Sequence, residues 1–105
     1  MSTAVKTKKE LIERILSGQN KISSYGVQQL GIFGSFVRDE ADEGSDVDFF
    51  VHFSPQHKTL KTFVGLANYL KALLGRKVEI VTPQSLNKFI GKYIQQEVEY
   101  VTLAA

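Results

Sequence analysis

Apolar positions recur at helical spacing in some stretches of the chain and alternate with polar ones in others. Leu11, Ile12, Ile15 and Leu16 share one face over residues 5–16, opposite Lys8, Lys9, Glu10, Glu13 and Arg14, which predicts an amphipathic helix ended by Gly18. Ile22 and Tyr25 predict a further turn or two over 20–25, stopped at Gly26. Residues 27–33 read as a strand between Gly26 and Gly34. A tight turn at Gly34 and Ser35, a short helix over 35–40 and a loop over 41–44 follow. Residues 45–53 read as a second strand closed by Pro55. Residues 59–74 predict a helix with Leu60, Phe63, Val64, Ala67, Leu70 and Leu74 inward, stopped by Gly75, with Lys71 suited to its last turn. Residues 77–82 read as a third strand. Pro83 opens a segment whose Leu86, Phe89, Ile90, Tyr93 and Ile94 recur at helical spacing over 84–97, read as two short helices split near Gly91. Residues 98–103 fit either a short strand or a tail.

These elements predict an α+β domain with a small three- or four-stranded mixed sheet and helices packed on one face. The connection from the second strand to the third holds a full helix, as a crossover between parallel strands requires. A length of 105 residues fits one domain spanning 1–105. The chain has no cysteine, which excludes a disulfide framework, a thiolate zinc site and a cysteine nucleophile, and fits a reducing cytoplasm. No apolar run reaches membrane-spanning length, and the polar N-terminus lacks a signal-peptide core.

Net charge is only +2, no strong signal for nucleic acid. Its distribution says more. Residues 1–31 carry +3, residues 32–51 carry −5 and residues 52–105 carry +4. The acidic centre is either a solvated loop or a cation site.

The alternation of the second strand decides between them. Val47, Phe49 and Val51 share one face; Asp46, Asp48, Phe50 and His52 share the other. Asp46 and Asp48 then lie ~7 Å apart along an open face. On the third strand Glu79 is out of phase with Val78 and Ile80, so side-by-side pairing brings it to the two aspartates. Three facing carboxylates repel, and a hard divalent cation such as magnesium relieves that repulsion. Two such ions ~3.5–4 Å apart form a clamp for in-line phosphoryl or nucleotidyl transfer. Gly34 and Ser35 sit between a strand end and a helix start, where a phosphate can meet exposed N–H groups and a hydroxyl. Arg38, one turn on, can reach a phosphate or pair with Asp39 or Asp42. Taken singly, each sign has a bland reading: a turn, a solvated acid, a solvent-facing strand residue. Together, in matching phase on adjacent strands, they point to one site. His52 reads as a polar neighbour of that site rather than a ligand. Phe50 and Phe53 read as packing residues, and Lys71, Arg76 and Lys77 as a solvated face. Asp39, Glu40, Asp42 and Glu43 read as a solvated loop.

Residues 31–51 resemble the signature of the minimal nucleotidyltransferases of the DNA polymerase β superfamily: Gly34-Ser35, ten residues, then Asp46-x-Asp48 on an apolar strand. Phe36 and Arg38 after Gly-Ser, and Ser45 before Asp46, also match. Residues 75–83 resemble the strand that carries the family's third carboxylate, with Glu79 where aspartate is commoner. The resemblance covers roughly residues 25–95 and implies a polymerase β-like nucleotidyltransferase fold. It implies that Gly34, Ser35, Arg38 and Ser45 bind the nucleotide. It implies that Asp46, Asp48 and Glu79 are the catalytic and metal-binding residues, holding two magnesium ions. Glu79 would also help remove the acceptor proton, a role its extra methylene leaves less secure than metal binding.

Family members this small are commonly paired with a helical HEPN protein, as antitoxin with toxin. The resemblance therefore implies a magnesium-dependent transfer of AMP from ATP, or of another nucleoside monophosphate from its triphosphate, to a hydroxyl of that partner. Two alternatives stay open: an antitoxin acting by contact alone, and transfer to a small molecule such as an antibiotic. The second is disfavoured because the chain leaves no residues for an acceptor-binding domain; a second copy in a homo-oligomer could complete the site.

Overall fold

The computed structural model describes residues 3–85 and 88–103. Helix α1 (Lys8–Ser17) starts later than the apolar pattern alone suggests. The Thr7 hydroxyl accepts the Glu10 N–H at 3.1 Å, and the Glu10 carboxylate accepts the Lys6 N–H at 3.2 Å, so the first turn is fixed at its cap. Val5 is left outside the helix. It is fully buried and donates its N–H to the Leu74 carbonyl at 3.0 Å. Leu11 and Ile15 are fully buried, whereas Leu16, expected inward, is 38% exposed. Helix α2 (Gln19–Ser24) follows and buries Ile22.

Strand β1 (Val27–Phe33) occupies the predicted residues. Its register against β2 (Val47–Phe53) slips between Val27 and Gln29. Val27 and Leu30 are an odd number of residues apart, and the slip returns both to the core face. Both are buried. In place of the short helix expected over 35–40 stands a single 3-10 turn, Gly34–Phe36, followed by Asp39 at φ 60°.

Helix α3 (Leu60–Leu74) begins with reciprocal Thr59 and Thr62 capping and ends at Gly75 in the left-handed conformation. Its buried ridge is Leu66, Leu70 and Leu74. Leu60 and Val64, expected inward, are 78% and 45% exposed. At ~100° per residue they point roughly 120° and 160° away from Leu66, so inclusion of Leu60 and Val64 set the face wrongly. Strand β3 (Val78–Val81) leads through a 3-10 turn at Pro83–Ser85 to α4 (Lys88–Glu97). Helix α4 runs unbroken through Gly91, where two helices were expected: a helical glycine costs only ~1 kcal/mol relative to alanine. Ile94 is buried as expected, but Tyr93 is 58% exposed. Leu86 and the side chains of Phe89 and Ile90 lie outside the described residues. Strand β4 (Glu99–Val101) resolves the last segment as a strand.

The sheet order is β3-β2-β1-β4. β2 pairs antiparallel with β1 and parallel with β3 across the α3 crossover; β4 pairs antiparallel with β1. Leu30, Ile32, Val47, Phe49 and Val51 form the core with Leu11, Ile15, Leu66, Leu70 and Leu74. Gly31, on the opposite face of β1, admits Val98, which a Cβ would meet at 2.4 Å. Lys8 donates to Glu99 at 2.6 Å and ties β4 to α1. Among the described residues, no helix is long and apolar enough to cross a membrane.

Candidate active site

The parallel pairing of β2 with β3 sets Asp48 directly beside Glu79. Both belong to the face opposite the core, because Val47 and Phe49 flank Asp48 and are fully buried. Asp46 lies just before β2 and is exposed, close enough for its charge to act on Asp48. On the other side, β1 pairs Phe33 with Asp48, so the turn that begins at Gly34 starts beside this carboxylate. The three predicted carboxylates and the Gly-Ser turn thus come to one end of the β1–β2–β3 sheet.

Gly34 is demanded twice. Its φ is +81°, and a Cβ there would lie 2.1 Å from Asp48 Oδ2. Its carbonyl accepts the N–H groups of Val37 at 3.1 Å and Arg38 at 3.2 Å, closing the turn. Ser35 is half-buried next to it, and among the described residues its hydroxyl has no hydrogen-bond partner.

Burial pushes the Asp48 carboxyl up to about 6; the charges of Glu79, Asp46 and Glu97 add to the shift and Arg38 opposes it. Such a crowded set of hard oxygen donors fits a magnesium ion. Among the described residues no three acidic, histidine or cysteine side chains enclose an ion by themselves. Magnesium usually takes one or two carboxylates and completes its shell with water and substrate phosphates.

Glu97, at the end of α4, escaped the sequence reading. Its Oε2 accepts the Gly34 N–H at 3.2 Å and its Oε1 accepts Arg38 Nη1 at 2.5 Å. Its side chain is only 12% exposed. A signal was present: Glu97 continues the helical row of Tyr93 and Ile94, and an acid in a last helical turn opposes the helix dipole unless a cation pairs with it. Arg38 is that cation. It pairs with Glu97 and, at 2.5 Å, with Glu40, rather than with Asp39 or Asp42. Glu40 and then Glu97 hold its pKa above the usual arginine value. Arg38 Nη1 also donates to the Tyr93 hydroxyl at 3.3 Å.

Ser45 is placed differently from the other proposed nucleotide contacts. Its hydroxyl donates to Asp42 Oδ1 at 3.1 Å and accepts the Asp42 N–H at 2.9 Å, knitting the loop that leads to Asp46. Arg76, expected on a solvated face, secures that same loop. Its Nη1 donates to the carbonyls of Asp42 and Ser45, each at 2.8 Å, and its Nε to the Val5 carbonyl at 2.6 Å. Its guanidinium also lies 5.1 Å from the Phe36 ring centroid. His52 pairs with the Tyr100 hydroxyl at 3.2 Å and meets Phe50 edge-on at 4.9 Å. Burial lowers its pKa. Those contacts tie it, four residues along β2 from Asp48, to Tyr100 of β4 and to Phe50.

Comparison with known proteins gives the chain's family and fold. A model of the nucleotidyltransferase domain matches residues 9–102. The protein adenylyltransferase MntA of Thermococcus cleftensis is 46% identical over 94 residues, 88% of this chain and 94% of that protein. A solved structure assigned as a minimal nucleotidyltransferase superposes with a TM-score of 0.80 at 28% identity, covering 92% of this chain and 98% of the other. A chain in a complex of tri-AMPylated Shewanella oneidensis HEPN toxin with an MNT antitoxin shares the fold, with a TM-score of 0.57 and 18% identity over 84% of this chain and 71% of that one.

Proposed function

The chain belongs to the nucleotidyltransferase domain family, and from that premise we propose that it adenylylates a protein: it moves AMP from ATP to a hydroxyl of a helical HEPN-type partner and so acts as an antitoxin. The observation that carries this reading is the in-register pair of Asp48 and Glu79 beside the Gly34 turn. The relative at 46% identity is a protein adenylyltransferase, and an MNT antitoxin in a fold-sharing complex is bound to an AMPylated HEPN toxin.

The chemistry divides among the chain's own groups. Gly34 offers a backbone N–H, Ser35 a hydroxyl and Arg38 a guanidinium to the terminal phosphates. Asp46, Asp48 and Glu79 would hold magnesium, as two ions in the full reading. The bound metal supplies neutralisation of phosphate charge and polarisation of the α-phosphoryl group. The acceptor oxygen bonds to the α-phosphorus as the bond to the pyrophosphate oxygen breaks. The acceptor proton passes to a carboxylate, for which Glu79 is placed on the exposed edge strand β3. Ser45 takes a supporting part here: with Arg76 it fixes the loop from which Asp46 extends.

The test is labelling in lysate of the native host, with magnesium and ATP labelled at the α-phosphate. The wild type should label one protein band that an Asp46→Asn, Asp48→Asn double variant does not. Neutralisation of a toxin by the double variant as well as by wild type would overturn the catalytic reading in favour of inhibition by contact.

A further inference from the structure

The two groups best placed to receive a terminal phosphate are already occupied by a carboxylate. Glu97 accepts the Gly34 N–H through Oε2 and the Arg38 guanidinium through Oε1. It does so from a nearly buried position, and its charge acts on Asp48 as well. An N–H donor pointing at one carboxylate oxygen cannot also serve a phosphate oxygen, and two anions at this spacing repel. We propose that Glu97 is a specificity-determining residue: an internal anion that holds the phosphate seat until the terminal phosphates of a nucleoside triphosphate displace it. The inference rests on the nucleotidyltransferase reading of the site.

Displacement selects by charge. A ligand must offer Gly34 and Arg38 more than a single carboxylate does. A triphosphate with its metal meets that demand through several oxygens; a nucleoside monophosphate lacks the β- and γ-phosphates that would lie there. The Arg38 side chain keeps one carboxylate through the exchange, because Glu40 lies 2.5 Å from its Nε. Tyr93, which shares Arg38 Nη1 with Glu97, is exposed and free to follow the end of α4.

The test is the affinity of wild type and Glu97→Gln for AMP-PNP with magnesium, measured by calorimetry. A charge-assisted hydrogen bond is worth about tenfold or more in a binding constant. Glu97→Gln should therefore bind AMP-PNP about tenfold tighter, with AMP binding unchanged. Weaker binding by the variant would overturn the proposal and make Glu97 a positioning residue for Arg38; unchanged binding would overturn it by placing the phosphates elsewhere. Failure of both proteins to bind AMP-PNP would instead overturn the reading of the site as nucleotide-binding. Glu97→Asp is the second variant: its shorter carboxylate loses reach but keeps its charge, and it should bind AMP-PNP with intermediate affinity.

Discussion

Replacing Asp48 with asparagine should make the metal-free chain more stable while abolishing transfer. Its carboxyl titrates at about 6 in the folded chain against an ordinary value of 3.8. The folded state thus holds the proton more tightly than the unfolded chain does, and ionisation costs the folded state stability. That penalty is full above pH 6 and fades as pH falls toward 4. At ~1.4 kcal/mol per pH unit the interval sets a ceiling of roughly 3 kcal/mol. Asp48 is only half-buried, so solvent screening reduces this to ~1 kcal/mol. Asparagine keeps the shape and removes the charge. Urea unfolding in a chelator should show Asp48→Asn more stable by ~1 kcal/mol at pH 7.5, with a smaller gap at pH 5. Added magnesium should narrow the gap at pH 7.5 by stabilising the wild type. A variant no more stable than wild type at pH 7.5, or a gap that does not shrink at pH 5, would refute the argument from carboxylate crowding.

Two further substitutions probe the frame around these carboxylates. Gly34→Ala imposes a side chain at φ +81° and a Cβ 2.1 Å from Asp48 Oδ2; it should cost ~1–3 kcal/mol in thermal or urea unfolding and abolish labelling. Arg76→Met keeps apolar bulk but removes the donors to four backbone carbonyls; it should cost ~2 kcal/mol and speed amide exchange in residues 42–46. Arg76→Lys should not restore stability, because one ammonium cannot span the carbonyls that the guanidinium fork reaches.

The parts of the site that were legible in the sequence are those governed by local period. Alternation on β2 and β3 gives the faces of Asp48 and Glu79, and the parallel register then sets them side by side. Gly34 stands out because a strand ends there and the chain must turn. The helix faces were harder. Leu60 and Val64 are apolar but lie off the Leu66, Leu70, Leu74 ridge, and hydropathy alone does not distinguish an overhanging first turn from a buried one. Long-range side-chain pairing outside the sheet was not legible. Arg76 looks like one more surface cation until residues 42–45 fold against it, and the pairing of Arg38 with Glu97 depends on α4 returning to the start of the 3-10 turn. Glu97 is 63 residues from Gly34, so no local pattern could join them.

The most direct test of the central claim is the intact mass of the partner protein. The chain and the HEPN-type protein proposed as its partner are purified separately, mixed with ATP and magnesium, and the partner is weighed before and after. The account predicts that the partner gains the mass of one or more AMP groups with wild type, and none with Asp48→Asn or with magnesium chelated. A partner that binds the chain and is inhibited by it, yet gains no mass, would contradict the claim.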